Sequence, residues 1–151
     1  MKYRGNIAFG ESLAMQMVDF VRTLHWPIEI LIPVPLGKKR LEERGYNQVG
    51  LVARPLAYQM GWMYEPHALW KTRDTRSQVG LTATQRSANV HDAHQADTKI
   101  VRQRNILLMD DVATTGSTIS ACTRALLSAG AKEVYVLTIA RALAHHNLDR
   151  V

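Results

Sequence analysis

The stretch from Asn105 to Ala129 constrains the fold more than any other part of the chain. Ile106 to Met109 is a continuous apolar run, which suits a strand buried on both faces of a parallel sheet. Two adjacent acids, Asp110 and Asp111, are expected to close that strand. Thr114, Thr115, Gly116, Ser117 and Thr118 follow, small hydroxylated residues around one glycine. Apolar positions then resume at helical spacing, with Ile119, Cys122, Leu126 and Leu127 as the expected buried stripe. Gly130 stands where a left-handed C-cap would end that helix. A tight turn of small residues opening a helix aims unpaired backbone N–H groups, and the positive end of the helix dipole, at one spot. Such a spot binds a phosphate dianion. The acids would repel a phosphate, but they make good acceptors for a pair of sugar hydroxyls. Phosphate on one side and vicinal hydroxyls on the other describe a ribose 5-phosphate. The alternative is an ordinary strand-to-helix turn with a Thr or Ser cap.

With 151 residues, the chain is expected to form a single domain over 1–151 with a substantial core. A hydrophobic content of 46% with 21% charged residues excludes a disordered chain. The net charge of +6 favours anionic partners, a sign that nucleic acid, a membrane surface and a polyphosphate all satisfy. Basic residues concentrate at Lys38 to Arg44 and at Lys71 to Arg86, as two loops facing one anion would require; a solvated basic surface is the other reading. The one cysteine, Cys122, excludes an internal disulfide and a cysteine-cluster zinc site, and its place on an apolar stripe reads as core packing. No run approaches the roughly 18 apolar residues of a membrane span. No signal-peptide core follows the first residues, so a cytoplasmic location is expected.

Taken in order, Glu11 to Leu24 reads as an amphipathic helix with an acid at its start and an apolar face of Leu13, Met17, Phe20, Val21 and Leu24. Ile28 to Val34 reads as a buried strand stopped by Pro33 and Pro35. Pro35 to Arg40 then places three cations, Lys38, Lys39 and Arg40, in a turn at the strand's carboxyl end, where ligands of open α/β sheets sit. A second helix begins near Gln48, with Val49, Leu51, Val52, Leu56 and Met60 as its core face; Pro55 inside it predicts a kink or a break. Tyr64 to Trp70 reads as weak strand at a sheet edge. Lys71 to Val90 is a long polar loop, the mark of a lid or binding loop. His91 and His94 lack a third ligand at convincing spacing for a metal. Glu133 to Ala140 supplies the last parallel strand, and Arg141 to Val151 a tail. Strand–helix alternation predicts an α/β fold, a parallel twisted sheet with helices on both faces.

The M-D-D-V-A-T-T-G-S-T run at Met109 to Thr118 resembles the 5-phosphoribosyl 1-diphosphate signature of the type I phosphoribosyltransferases. That resemblance implies their fold with a flexible lid loop. It also gives the ribose 2- and 3-hydroxyls to Asp110 and Asp111, and the 5-phosphate to Thr114, Thr115, Gly116, Ser117 and Thr118. More narrowly, the chain resembles the ComF/GntX family. The resemblance rests on I-P-V-P-L-G-K-K-R-L-E-E-R-G-Y-N-Q at Ile32 to Gln48, on R-D-T-R-S-Q-V-G-L at Arg73 to Leu81, and on Arg86 with Asn89. The paired Cys-x-x-Cys module common upstream in that family has no counterpart in this sequence. By resemblance, Lys38 and Lys39 stabilise a leaving diphosphate, and Arg73, Arg76, Gln78, Arg86 and Asn89 belong to the lid. Mg2+ is held through the diphosphate and ribose, not by protein ligands alone. Two functions follow: phosphoribosyl transfer from 5-phosphoribosyl 1-diphosphate, or a non-catalytic ligand-sensing or DNA-uptake accessory role on the same fold. Single-stranded DNA, the competence machinery and a second copy of the chain in a homodimer are the further candidate partners.

Overall fold

The computed structural model describes residues 2–72, 82, 93–113 and 116–141. In chain order the elements are α1 (Lys2–Thr23), β1 (Ile30–Pro33), α2 (Lys38–Arg44), α3 (Gln48–Met60), β2 (Met63–Tyr64), β3 (Leu69–Lys71), β4 (His94–Ala96), α4 (Thr98–Val101), β5 (Asn105–Ala113), α5 (Ser117–Ser128) and β6 (Glu133–Arg141). Four strands form one all-parallel sheet in the order β2-β1-β5-β6, and β3 and β4 pair antiparallel as a separate ribbon.

The apolar run works as its composition requires. Successive side chains of a strand point to opposite faces. Leu31, Leu107 and Met109 therefore join the core under α1 and α3, while Ile30, Ile32, Ile106 and Leu108 join the core under α5 and the ribbon. Helices cover both faces, as expected of a parallel sheet. At the opposite end from the acids, the Glu29 carboxylate fixes the register of β1 against β5. It accepts the Asn105 N–H at 2.9 Å and pairs with Arg104 at 2.7 Å, contacts that hold its pKa below the usual carboxylate value. Past α5, Gly130 adopts φ 95°, with the Gly130 N–H donating to Leu127 O and the Ala131 N–H to Leu126 O, a Schellman C-cap as read from the sequence.

Several expectations are corrected. β5 does not end at the acids; it runs on to Ala113, because β6 continues to pair with it as far as Ala113↔Arg141. The cations after β1 do not sit in a turn: Gly37 caps α2, which opens with Lys38 and Lys39. α3 is continuous through Pro55, and Ala53 and Ala57 are buried on it in place of Leu51 and Met60. α1 begins nine residues before Glu11, which is therefore mid-helix. Its buried positions are Gly10, Ala14, Val18 and Val21, whereas Phe20 is 56% exposed. On α5, Ala121 is buried and Leu127 is exposed. The Tyr64 to Trp70 segment splits between the sheet edge and the ribbon, and residues 94–101 carry β4 and α4.

One cause explains the α1 and α3 corrections. The two helices approach so closely that only small residues fit between them. A Cβ on Gly10 would stand 2.7 Å from the Leu51 carbonyl oxygen, well inside contact distance. Leu51 is the residue whose carbonyl would normally accept the N–H four positions on, and Pro55 has none. Gly10→Ala is therefore expected to destabilise the fold by about 1–3 kcal/mol in urea titrations, since backbone cannot yield as a side chain does. Gly5→Ala in the same helix, with nothing within 4 Å, is expected to be neutral or to stabilise by up to about 1 kcal/mol.

Candidate functional site

β1 and β5 are neighbours whose connections leave in opposite directions, β1 through α3 to β2 and β5 through α5 to β6. The loops beyond their carboxyl ends therefore diverge and leave a crevice between them. A cavity of about 800 Å3 lies there. One side is the Val34 to Gly37 loop with Lys39, Arg40, Arg44 and Gln48; the floor is Asp110, Asp111 and Val112; the far side is Ser117, Thr118 and Ala121 of α5, with Lys71 and His94 from the ribbon.

Each wall has a local cause. Asn47 ties the basic side to the sheet: its side-chain N–H donates to Val34 O at 2.9 Å, and its Oδ1 accepts the Val49 N–H at 3.1 Å, capping α3. Arg44 donates to Gln48 Oε1 at 2.8 Å across the junction of α2 and α3. Gly116 opens α5 with φ 76°, a left-handed conformation that strains any other residue. Apart from its chain neighbours, a Cβ there would meet nothing within 4 Å among the described residues. Gly116, Ser117 and Thr118 also line a small recess shared with Asp110.

The acidic pair lies within β5. The Asp110 carboxylate accepts the Asp111 N–H at 2.8 Å, and the Asp111 carboxylate accepts the Val112 N–H at 2.7 Å. Burial pushes the Asp110 pKa above its ordinary value; the bond from the Asp111 N–H works against that, and the neighbouring Asp111 charge adds to it. Beneath lies Cys122, buried, its thiol pushed up to about 12 by burial and then by Asp110. A thiol so held is packing, not a nucleophile. His94 is 9% exposed, its Nδ1 has no hydrogen-bond partner among the described residues, and burial and then Lys71 lower its pKa.

Of the residues singled out from sequence, Lys39, Asp110, Asp111, Ser117 and Thr118 share the cavity, and Gly116 faces the recess beside it. Lys38 does not line the cavity; it is exposed and pairs with Glu42 at 4.0 Å. Thr114, Thr115, the lid residues Arg73, Arg76, Gln78, Arg86 and Asn89, and His91 lie outside the described residues. Arg40, Arg44 and Lys71, from the two basic clusters read as facing one anion, also line the cavity; sequence reasoning missed Gln48 and His94 as members of the site. Arg40 and Arg44 stand four apart, a signal visible once α2 is read as a helix. Nothing local marked His94 as a site residue; it joins Lys71 only through the ribbon register Lys71↔His94. No group of three or more His, Cys, Asp or Glu among the described residues is arranged to hold a metal, and no described helix is long and apolar enough to cross a membrane.

A switch-point crevice, with a helix N-terminus on one side and cations on the other, is the architecture of a phosphoribosyltransferase-type α/β domain. The family model of the phosphoribosyl transferase domain matches residues 50–150, and the chain belongs to that family. It is 35% identical over 138 residues to the DNA utilization protein YhgH of Shigella flexneri, an alignment covering 90% of this chain and 60% of that protein. It is 34% identical over 116 residues to competence protein F of Haemophilus influenzae, covering 76% of this chain and 51% of the relative. The chain thus spans about 60% or less of the curated relatives it matches, and their names bear out the narrower ComF/GntX resemblance. Among solved structures, the glutamine phosphoribosylpyrophosphate amidotransferase of B. subtilis superposes with a TM-score of 0.59 at 22% identity, over 94% of this chain and 27% of that one, a likeness of fold.

Because the folded state prefers Asp110 protonated, that preference adds stability at pH below the unfolded value of 3.8 and is lost as pH rises through the raised folded value. Asp110→Asn is therefore expected to raise the Tm of the ligand-free protein by about 2–4 °C at pH 7.5 and to give no such gain near pH 3, as scanning calorimetry at both pH values would show.

Proposed function

We propose that the chain binds 5-phosphoribosyl 1-diphosphate in the switch-point cavity and transfers its phosphoribosyl group to an acceptor, with diphosphate leaving. The observation that carries this reading is the placing of three complementary surfaces around one cavity of about 800 Å3: the α5 N-terminus, the acidic pair and the basic side of α2. Gly116, Ser117 and Thr118, with Thr114 and Thr115 by resemblance, take the 5-phosphate through backbone N–H groups and hydroxyls. Asp110 and Asp111 accept the ribose hydroxyls and stand near the positive charge that develops as the bond at C1 lengthens. Lys39, Arg40 and Arg44 face the diphosphate. Two adjacent carboxylates suit Mg2+ shared with ligand oxygens, and the described residues offer too few donors for a cage of their own. Bound there, the ion neutralises the leaving diphosphate. Arg73, Arg76, Gln78, Arg86 and Asn89 are assigned by resemblance to a lid that excludes water.

A second reading keeps the ligand and drops the chemistry: a ligand-sensing or DNA-uptake accessory protein. It is favoured by the relatives' names, which speak of DNA utilization and competence and not of a transferase. Calorimetry with 5-phosphoribosyl 1-diphosphate and Mg2+ tests the site, and diphosphate release with a panel of nitrogenous acceptors separates the readings. Binding without release under any acceptor supports the sensor; no binding sinks both.

Two substitutions probe the assignment. Gly116→Val is expected to abolish binding of ribose 5-phosphate, because a β-branched side chain crowds the helix end and is strained at φ 76°; that strain is expected to lower Tm by a few degrees while the fold is kept. Lys39→Ala with Arg40→Ala is expected to weaken the diphosphate-bearing ligand tenfold or more while sparing ribose 5-phosphate, each charge-assisted contact contributing about 1.5–3 kcal/mol. Lys38→Ala, outside the cavity, is expected to change neither affinity.

A further inference from the structure

A second cavity, of about 730 Å3, lies toward the other end of α5. Its wall carries Trp70 and Gln95 of the ribbon, and Arg124 and Ser128 of α5; His94 is shared with the main cavity. At about 1.5 Å per residue, Arg124 and Ser128 stand roughly 10–16 Å along α5 from Ser117. This is a separate place from the anion-binding end of that helix.

Three groups there have unused binding capacity. Trp70 keeps 41% of its surface exposed, although Leu69 beside it is buried. Arg124 has no ion-pair or hydrogen-bond partner among the described residues, whereas Arg22, Arg44 and Arg104 each have one. His94, nine-tenths buried, leaves its Nδ1 unsatisfied at the seam between the two cavities.

We propose that this groove is a nucleotide site, in which a planar heterocycle stacks on Trp70 and an adjacent phosphate pairs with Arg124. The competing chemistries fit less of the wall. An aliphatic ligand would cover Trp70 and Leu127 but leave Arg124, Gln95 and Ser128 without partners. A bare anion would use Arg124 and leave the exposed face of Trp70 uncovered. A heterocycle that carries its own phosphate covers the ring, pairs the guanidinium and offers ring-edge groups to the Gln95 amide and the Ser128 hydroxyl. A free nucleotide and a base within a single strand present this same chemistry. The site is independent of the reading given to the main cavity.

The test uses adenosine 3′-monophosphate, whose phosphate is at the wrong end for a ribose 5-phosphate site, with ribose 5-phosphate present to fill the main cavity. Binding is followed by calorimetry and by tryptophan fluorescence; the chain has three tryptophans, and Trp70→Phe identifies the reporter. Saturable quenching is expected in the unmodified protein. Trp70→Phe should remove the quenching and keep the affinity, while Trp70→Ala and Arg124→Ala should each weaken binding about tenfold or more without lowering Tm, since both side chains meet solvent. Adenosine should bind at least about tenfold more weakly than its 3′-phosphate. A ten-residue oligothymidylate without terminal phosphates that binds more tightly than the mononucleotide assigns the site to a strand; equal or weaker binding assigns it to a free nucleotide. Absence of saturable binding by both probes, or variants that bind as the unmodified protein does, overturns the proposal.

Discussion

A strand sealed on both faces can present only its end to water, and the rest of this molecule follows from that constraint on β5. Ile106 to Met109 are fully buried between two helical layers, so beyond Asn105 the next polar side chains of the strand emerge together at its carboxyl end. Parallel pairing brings the end of β1 beside them. The basic helix that follows one strand and the N-terminus of the helix that follows the other then face each other across Asp110 and Asp111. No long-range design is needed to assemble the cavity beyond the choice of which strands are neighbours.

The resulting electrostatics are unbalanced without a ligand. Cations gather on the α2 side, while burial and the Asp111 charge hold the Asp110 carboxyl above its ordinary pKa. Like charge is thus gathered on each side of the cavity, which costs the fold some stability.

What was legible in the sequence was what local covalent order dictates. β5, the helix after it, its glycine C-cap and β6 could be read because each carries its own pattern: an apolar run, a 3.6-residue stripe, a turn residue. The acids and the Gly116 turn could be read because they adjoin those elements. The face of α1 could be read only in part: Val21 is buried and Leu13 and Met17 pack against the core, but Phe20 scores as core by hydrophobicity while the closest contact selects for small size at Gly10 and Ala14. His94 could not be read as part of the site either, although Lys71 stood in a basic cluster read as facing the same anion. They belong to three-residue strands far apart in the chain, too short to show alternation, and only their pairing brings them together.

The contact between Gly10 and the Leu51 carbonyl reaches beyond packing. Pro55 leaves the middle of α3 without one of the hydrogen bonds that make a helix self-sufficient, and α1 closes over that gap. α3 alone is thus an interrupted helix, and α1 alone is a helix with a glycine in its interior, each weak in isolation. Docked together, each repairs the other's defect. Segments some forty residues apart therefore gain their order in a single cooperative event, and amide hydrogen exchange along both would report one shared opening in place of two separate frayings.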